Sequence, residues 1–329
     1  MDNCKCVYKE LYMYFQEKGK VIKLSNDCKP LKCRFCGKSS PEVKFRKIAH
    51  AFPECIGNHE LRTSYECDEC NEYFGKECED NMAKYLGPLL TLSQTKGKNG
   101  VPAYKAKNKR TRIDVTPSEV VIQNASDSGN INIEDSCITI NANRQPYYKI
   151  GVYKTLLKMA LSLMPEREID NFKETIEWVR FGSKQYEKVM EIHAKSVIQT
   201  FYPGPGTIPL NAILYKRSDD KLRVPYCIFY CEFRNFSFQI VVPSIKKDEL
   251  LYKENIEVKI PGFIGYYETM GLTDTFGPPE KLIVDLSLSE RVNEEKVTIR
   301  MKFDSKIELM EMEGKETTEI PGVKPLSEG

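Results

Sequence analysis

CRFCGKSSPEVKFRKIAHAFPECIGNHELRTSYECDECNEYFGKECEDNMAKYLGPLL, residues 33–90, is the stretch on which the reading of the whole chain turns. Two Cys-x2-Cys pairs, Cys33 with Cys36 and Cys67 with Cys70, bracket an insert of 30 residues. Each pair can place two thiolates on one tetrahedral Zn²⁺, with every sulfur about 2.3 Å from the ion. A simple zinc ribbon separates its pairs by roughly 15 to 20 residues, so this longer insert must build structure of its own. VKFRKIAH and ELRTSYEC read as the two strands of a β-hairpin, joined by a loop that carries Pro53, Gly57 and Asn58. The residues that follow predict a helix, with Asp68 as N-cap, Phe74, Cys78, Met82 and Leu86 along one face, and Gly87-Pro88 as the stop. The order is strand, strand, helix, with the second thiolate pair where the helix begins.

Composition is that of an ordinary globular protein: 329 residues, 41% hydrophobic and 29% charged, net charge +2. No run approaches the ~18 apolar residues that cross a bilayer, so no membrane association is expected. The N-terminus MDNCKCVYKE lacks the apolar centre of a secretory signal, which points to the reducing cytoplasm. There, twelve cysteines are more readily metal ligands and buried thiols than disulfides. Cys4, Cys6, Cys28, Cys55 and Cys78 are available as substitute ligands, although none forms another such pair, and Cys137, Cys227 and Cys231 read as strand cysteines.

The motif A-H-x-x-P-E-x-x-G-N, set between a C-x2-C and the run E-C-D-E-C-N-x-x-F-G, resembles the zinc-bearing HNH (ββα-metal) endonucleases over residues 33 to about 86. The resemblance implies that His50, at the end of the first strand, is the general base on water. It implies that Asn71, directly after Cys70, binds a catalytic Mg²⁺ or Mn²⁺, that Asn58 orients the histidine, and that the four cysteines hold a structural Zn²⁺. A neutral imidazole with a pKa near ~6.5 suits a water-activating base. Two positions depart from the family pattern. Ala49 stands where many members have an acidic residue or His, and Gly75 stands where many have a second helix ligand. Glu54 or Glu66 can supply the missing oxygen, whereas Glu79 lies about 12 Å of helix rise beyond Asn71. His59 reads as a hairpin surface residue, and His193 as a helix residue without neighbouring ligands.

Residues 93–120 carry seven Lys or Arg against two acidic residues. Lys96, Lys98, Lys105, Lys107, Lys109, Arg110 and Arg112 all fall in KGKNGVPAYKAKNKRTR, which reads as a basic linker able to hold phosphates. The expected organisation is α+β: a zinc-stapled ββα-metal module at 1–92, this linker at 93–120, and a mixed helix and antiparallel-sheet domain at 121–329. VYKELYMYFQ at 7–16 has roughly helical spacing, KVIKLS at 20–25 reads as a short strand, and SEVVIQNA with NINIEDSCITINA as a hairpin or small meander. Helices are predicted over 147–164 and within 167–180 and 184–199, strands over NAILYK, VPYCIFYCEF, FSFQIVVPS, KLIVDLSL and KVTIRMKF, and disorder at the polar end.

No phosphate loop, catalytic triad or second metal cluster is visible after residue 120, so the C-terminal half reads as a helper. HNH enzymes with such appended domains are similar to prokaryotic restriction and anti-phage effectors. The leading expectation is a metal-dependent DNA endonuclease. The alternatives are an RNase and a non-catalytic zinc module that binds nucleic acid. The sequence leaves a homo-oligomer and a regulatory ligand or partner protein open.

Overall fold

The computed structural model describes residues 7–26, 28–107, 109–116, 120–125, 128–134, 137–254 and 261–302. Cys4, Cys6 and the polar end after residue 302 lie outside them. The chain begins with a strand, β1 (Tyr8–Phe15), where helical spacing had predicted a helix. Its three Tyr and one Phe suit a pleated surface, and pairing with a distant strand decides the conformation, because only that pairing buries Tyr8 and Tyr14. The next strand, β2 (Ile22–Leu24), falls within the expected segment.

The predicted hairpin is present but short. β3 (Ala49–His50) pairs antiparallel with β4 (Leu61–Thr63), Ala49 opposite Thr63 and His50 opposite Arg62, and β2 adds to the other side of β4 in parallel. The helix follows as α1 (Asp68–Phe74), a π-turn over Gly75–Glu79 and α2 (Asp80–Leu86), ending at Gly87, after which Pro88 opens α3 (Pro88–Leu92). Asp68 does not cap this helix. Its carboxylate instead accepts the backbone N–H groups of Arg46 at 2.8 Å and Lys47 at 2.9 Å, which ties the helix start to the chain leading into β3.

The segment expected to be a loop-like linker carries two short strands, β5 (Tyr104–Lys105) and β6 (Thr111–Val115), which with β7 (Val120–Asn124) form a three-stranded antiparallel sheet. The reason lies in its apolar positions, since Tyr104, Ala106 and Ile113 are buried in a small core shared with Ile140, Ala142 and Ile299. The hairpin expected between SEVVIQNA and NINIEDSCITINA does not form: β7 pairs with β6, while β8 (Ile131–Glu134) and β9 (Cys137–Asn143), both within the second stretch, pair with each other, and β10 (Tyr147–Tyr148) leads into α4 (Lys149–Leu163). That helix falls within the predicted 147–164, the first two residues of that span being strand. Apolar on nearly every side, it is buried along twelve of its fifteen residues, and Pro165 follows its end.

Short helices α5 (Glu166–Ile169), α6 (Lys173–Phe181) and α7 (Glu187–Ala194) come next, then β11 (Val197–Phe201), whose strand the sequence reading had folded into a helix. β12 (Ile208–Arg217), β13 (Cys227–Arg234), β14 (Phe236–Val242) and β15 (Glu280–Val284) complete an antiparallel six-stranded sheet in the order β1-β12-β13-β14-β11-β15. β16 (Arg291–Val292) pairs with β10, and β17 (Lys296–Lys302) with β9. The architecture is α+β.

One apolar core crosses residue 92. It runs from Tyr14, Phe35 and Phe52 through Phe74 and the buried face of α4 to Phe229 and Leu286. Phe52, in the hairpin loop, stacks edge-on against Tyr14 of β1 and Phe229 of β13, at 5.9 and 6.1 Å between ring centroids. Where α4 crosses α2 the approach is so close that a Cβ on Gly151 would fall 2.6 Å from the Asn81 amide nitrogen.

Candidate active site and metal centre

The four sulfurs of Cys33, Cys36, Cys67 and Cys70 lie within 4.8 Å of one another, with Cys36 and Cys67 3.8 Å apart. Four thiolates at 2.3 Å from one tetrahedral ion would have sulfur–sulfur edges of about 3.8 Å, so the donor set fits Zn²⁺. The first pair sits on a tight turn in which Gly37, at φ +73°, donates its N–H to the Cys33 carbonyl at 2.9 Å. The second pair opens α1, where the Cys67 N–H points at the Cys33 sulfur from 3.4 Å. The Cys70 thiol beside Cys33 lowers the pKa of Cys33 from the ordinary thiol range to about 5. Arg180, on α6, places its Nε 3.2 Å from the Cys70 sulfur and offsets part of the charge of a four-thiolate centre. Cys28, Cys55 and Cys78 stay outside this cluster.

His50 closes β3 and is half-buried. Burial is the largest influence on its ring and disfavours the imidazolium. Arg62 and Lys158 push the same way, while Glu54 and Glu79 oppose them, and the net effect places its pKa below the ordinary histidine value. The ring is therefore neutral at neutral pH, the state a general base needs.

Asn58 is completely buried and spends its amide on the loop backbone. It donates to the carbonyls of Phe52 at 2.8 Å and Leu61 at 3.0 Å and accepts the Leu61 N–H at 3.0 Å. Its bearing on His50 thus runs through the shape of the loop. Glu54 opens a 3₁₀ turn over Glu54–Ile56, its Oε1 3.9 Å from His59 Nδ1, and its charge acts on His50. Asn71, in the first turn of α1, is partly exposed and donates a long 3.4 Å bond to the Ile48 carbonyl, two residues before His50.

Glu66, the other candidate for the missing oxygen, is paired with a lysine. It is wholly buried, 3.4 Å from the Lys158 ammonium. Glu79, set aside on sequence grounds, lies on the π-turn with its Oε1 3.2 Å from the same ammonium. Lys158 escaped sequence reading altogether. The available signal was a lone cation in the apolar run TLLKMALSLM. Burial works against this ammonium, but Glu66 and Glu79 together outweigh it and raise its pKa. Among the described residues the cysteine cluster is the one group of three or more Cys, His, Asp or Glu whose ligand atoms converge this closely. The donors near His50 do not form a cage, a geometry suited to a cation such as Mg²⁺, which keeps several waters and takes few protein ligands besides phosphate.

Residues 33–86 match the HNH endonuclease family model. No curated protein and no solved structure matches the chain. The HNH match spans both cysteine pairs, the hairpin and the helix, and points to a nuclease acting on nucleic acid with a divalent metal.

The basic segment abuts this HNH segment. Gly97 packs against the backbone of Glu54 and Cys55, and His59 Nε2 lies 3.2 Å from the Lys96 carbonyl. Lys96, Lys98, Lys105, Lys107, Lys109 and Arg110 are exposed. Arg112 is half-buried and paired with Asp114 at 2.5 and 2.8 Å, and Lys107 lies 3.3 Å from Glu294, so these two are partly neutralised. His193 is buried against the Tyr252 hydroxyl at 3.1 Å, far down at about 4 because of burial, and serves the core. No helix among the described residues is long and apolar enough to cross a membrane.

Proposed function

We propose that the chain is an endonuclease that hydrolyses phosphodiester bonds of DNA, with His50 as the base that takes a proton from the attacking water. The observation that carries this reading is a half-buried histidine, its pKa lowered, at the end of a hairpin strand beside a helix whose start holds two of four clustered cysteines. Asn71 and Glu54 are proposed as the protein donors to a Mg²⁺ or Mn²⁺ ion. When bound, such an ion supplies positive charge against the phosphate as negative charge builds during attack. Asn58 keeps the loop in the shape that aims the imidazole. The Lys and Arg side chains of residues 96–112 would hold the polymer by its phosphates, independent of sequence. By analogy with HNH effectors that carry appended domains, restriction or anti-phage defence is the proposed setting.

The experiment is parallel cleavage of plasmid DNA and of RNA by wild type and His50→Ala, with Mg²⁺, Mn²⁺ or EDTA, and with zinc content measured on both proteins. Wild type should cut DNA only with the divalent ion, and His50→Ala should keep its zinc and lose cutting. Unchanged cutting by the variant rejects His50 as the base. Cleavage of RNA alone makes the enzyme an RNase, and retardation of a duplex without cleavage makes it a binding module.

A further inference from the structure

Lys158 is the middle of α4, and its side chain has no exposure to solvent. Its ammonium donates to the main-chain carbonyl of His50 and, at 3.2 Å, to Glu79 Oε1, and it lies 3.4 Å from Glu66 Oε2. The ring of Phe74 sits below it, 5.8 Å from the nitrogen. Removing an ammonium and a carboxylate from water costs several kcal/mol per ion, and apolar residues of similar volume commonly fill such a space at no loss of stability. The charge is therefore unnecessary for packing. What it alone can do is grip three oxygens on three different elements: β3, the residue before Cys67, and the π-turn of the helix.

Strand β3 makes the grip matter, because two residues paired to β4 give little rigidity of their own. We propose that Lys158 is a positioning residue for the nuclease centre: it anchors the His50 carbonyl to the helix carrying Glu79, so that α4 from the C-terminal half completes the site. The inference rests on the reading of His50 as the base. The close approach of Gly151 to Asn81 lies on the same helix, and an anchor works only if the helix bearing it is fixed against the module.

The test is the double variant Lys158→Met/Glu66→Gln, which removes both wholly buried charges and leaves Glu79 able to reach water through its 23% exposed side chain. Zinc content and cooperative melting should be retained, while kcat falls ~10–100-fold at unchanged KM, as expected when a reacting group is displaced by about an ångström. A second readout is the pH midpoint of the His50 ring by NMR. The groups acting on that ring are Glu54, Arg62, Lys158 and Glu79, and loss of the Lys158 cation should move the midpoint up. Unchanged kcat, an effect confined to KM, or an unmoved midpoint overturns the proposal. So does loss of zinc or of cooperative melting in the double variant, since Lys158 would then hold the fold and not the base. If wild type cuts no nucleic acid, the nuclease reading falls, and the ring midpoint alone decides for or against Lys158.

Discussion

Replacing Asn58 by Ala isolates the loop that aims His50 without touching a charged group. The amide makes three hydrogen bonds in a fully buried site, two to carbonyls and one from an N–H. A neutral hydrogen bond contributes about 1 kcal/mol net, and a buried polar group left without a partner costs roughly 1–3 kcal/mol. Three groups lose their partners at once. Water entering the space of the lost amide restores some of them, which brings the expected destabilisation to about 2–4 kcal/mol. For a protein of this size that is a fall in Tm of roughly 3–6 °C.

The functional effect should exceed the structural one, because Phe52, held by the Asn58 amide, is two residues from His50. Measured at a temperature where the variant is folded and zinc-loaded, cleavage should fall ~10–100-fold, the usual cost of a misplaced reacting group. Asn58→Asp should do worse, since a carboxylate would face the carbonyls of Phe52 and Leu61. An Asn58→Ala protein that melts within a degree of wild type, or that cuts at full rate, would refute the argument that this side chain shapes the loop.

Three further outcomes are expected. The acidic limb of kcat/KM against pH should have its midpoint below ~6.5, because burial and neighbouring cations keep the His50 ring neutral, and activity should be lost only as pH falls through that lowered value; a limb at or above ~6.5 speaks against His50. Cys67→Ser, or strong chelation of wild type, should remove the zinc and leave residues 33–86 open to limited proteolysis, because the binding free energy of a structural Zn²⁺, ~10–16 kcal/mol, is part of the folding free energy; protease resistance without zinc contradicts a structural role. Lys105→Gln with Lys109→Gln should weaken binding to a catalytically dead protein equally across DNA sequences and lower the salt slope by about 1 per lost phosphate contact, whereas Arg112→Gln, its side chain already paired with Asp114, should change it less.

What the sequence disclosed was local. Cys-x2-Cys spacing located the cysteine cluster because two thiolates on one ion suit that spacing, and the hairpin between the pairs and the helix that begins at the second follow from short-range pattern. α4 was legible for the same reason, its apolar side chains recurring until Pro165. The failures were long-range. YKELYMYF becomes a strand because Ile208–Arg217, two hundred residues later, gives it a partner, and Tyr104–Lys105 and Thr111–Val115 pair as sheet where Ile140 and Ile299 cover Tyr104 and Ile113. The partner of Glu79 was equally out of reach, since its neighbour is a lysine on another element. Arg34 shows the same limit. Set inside the first cysteine pair, it donates to the carbonyls of Leu161 and Met164 at 2.8 and 2.9 Å and lies over the Tyr65 ring, contacts that no spacing rule contains.

These contacts bear on whether the HNH segment can act alone. A zinc ion on the four cysteines would join the first cysteine turn to the start of α1, but nothing in that bond would fix β3 relative to α2. That second relation is set by α4: Arg34 satisfies the carbonyls at its C-terminal end, where a helix leaves its last C=O groups unpaired and its dipole favours a cation, while Lys158 holds His50, Glu66 and Glu79 midway along it. A fragment ending at residue 92 would keep all four cysteines yet expose Phe52, Phe74 and Met82, whose cover comes from the later half of the chain. Such a fragment should therefore still bind zinc but cut far more slowly than the full chain, and the difference between its zinc affinity and its cleavage rate would measure what α4 adds to the site.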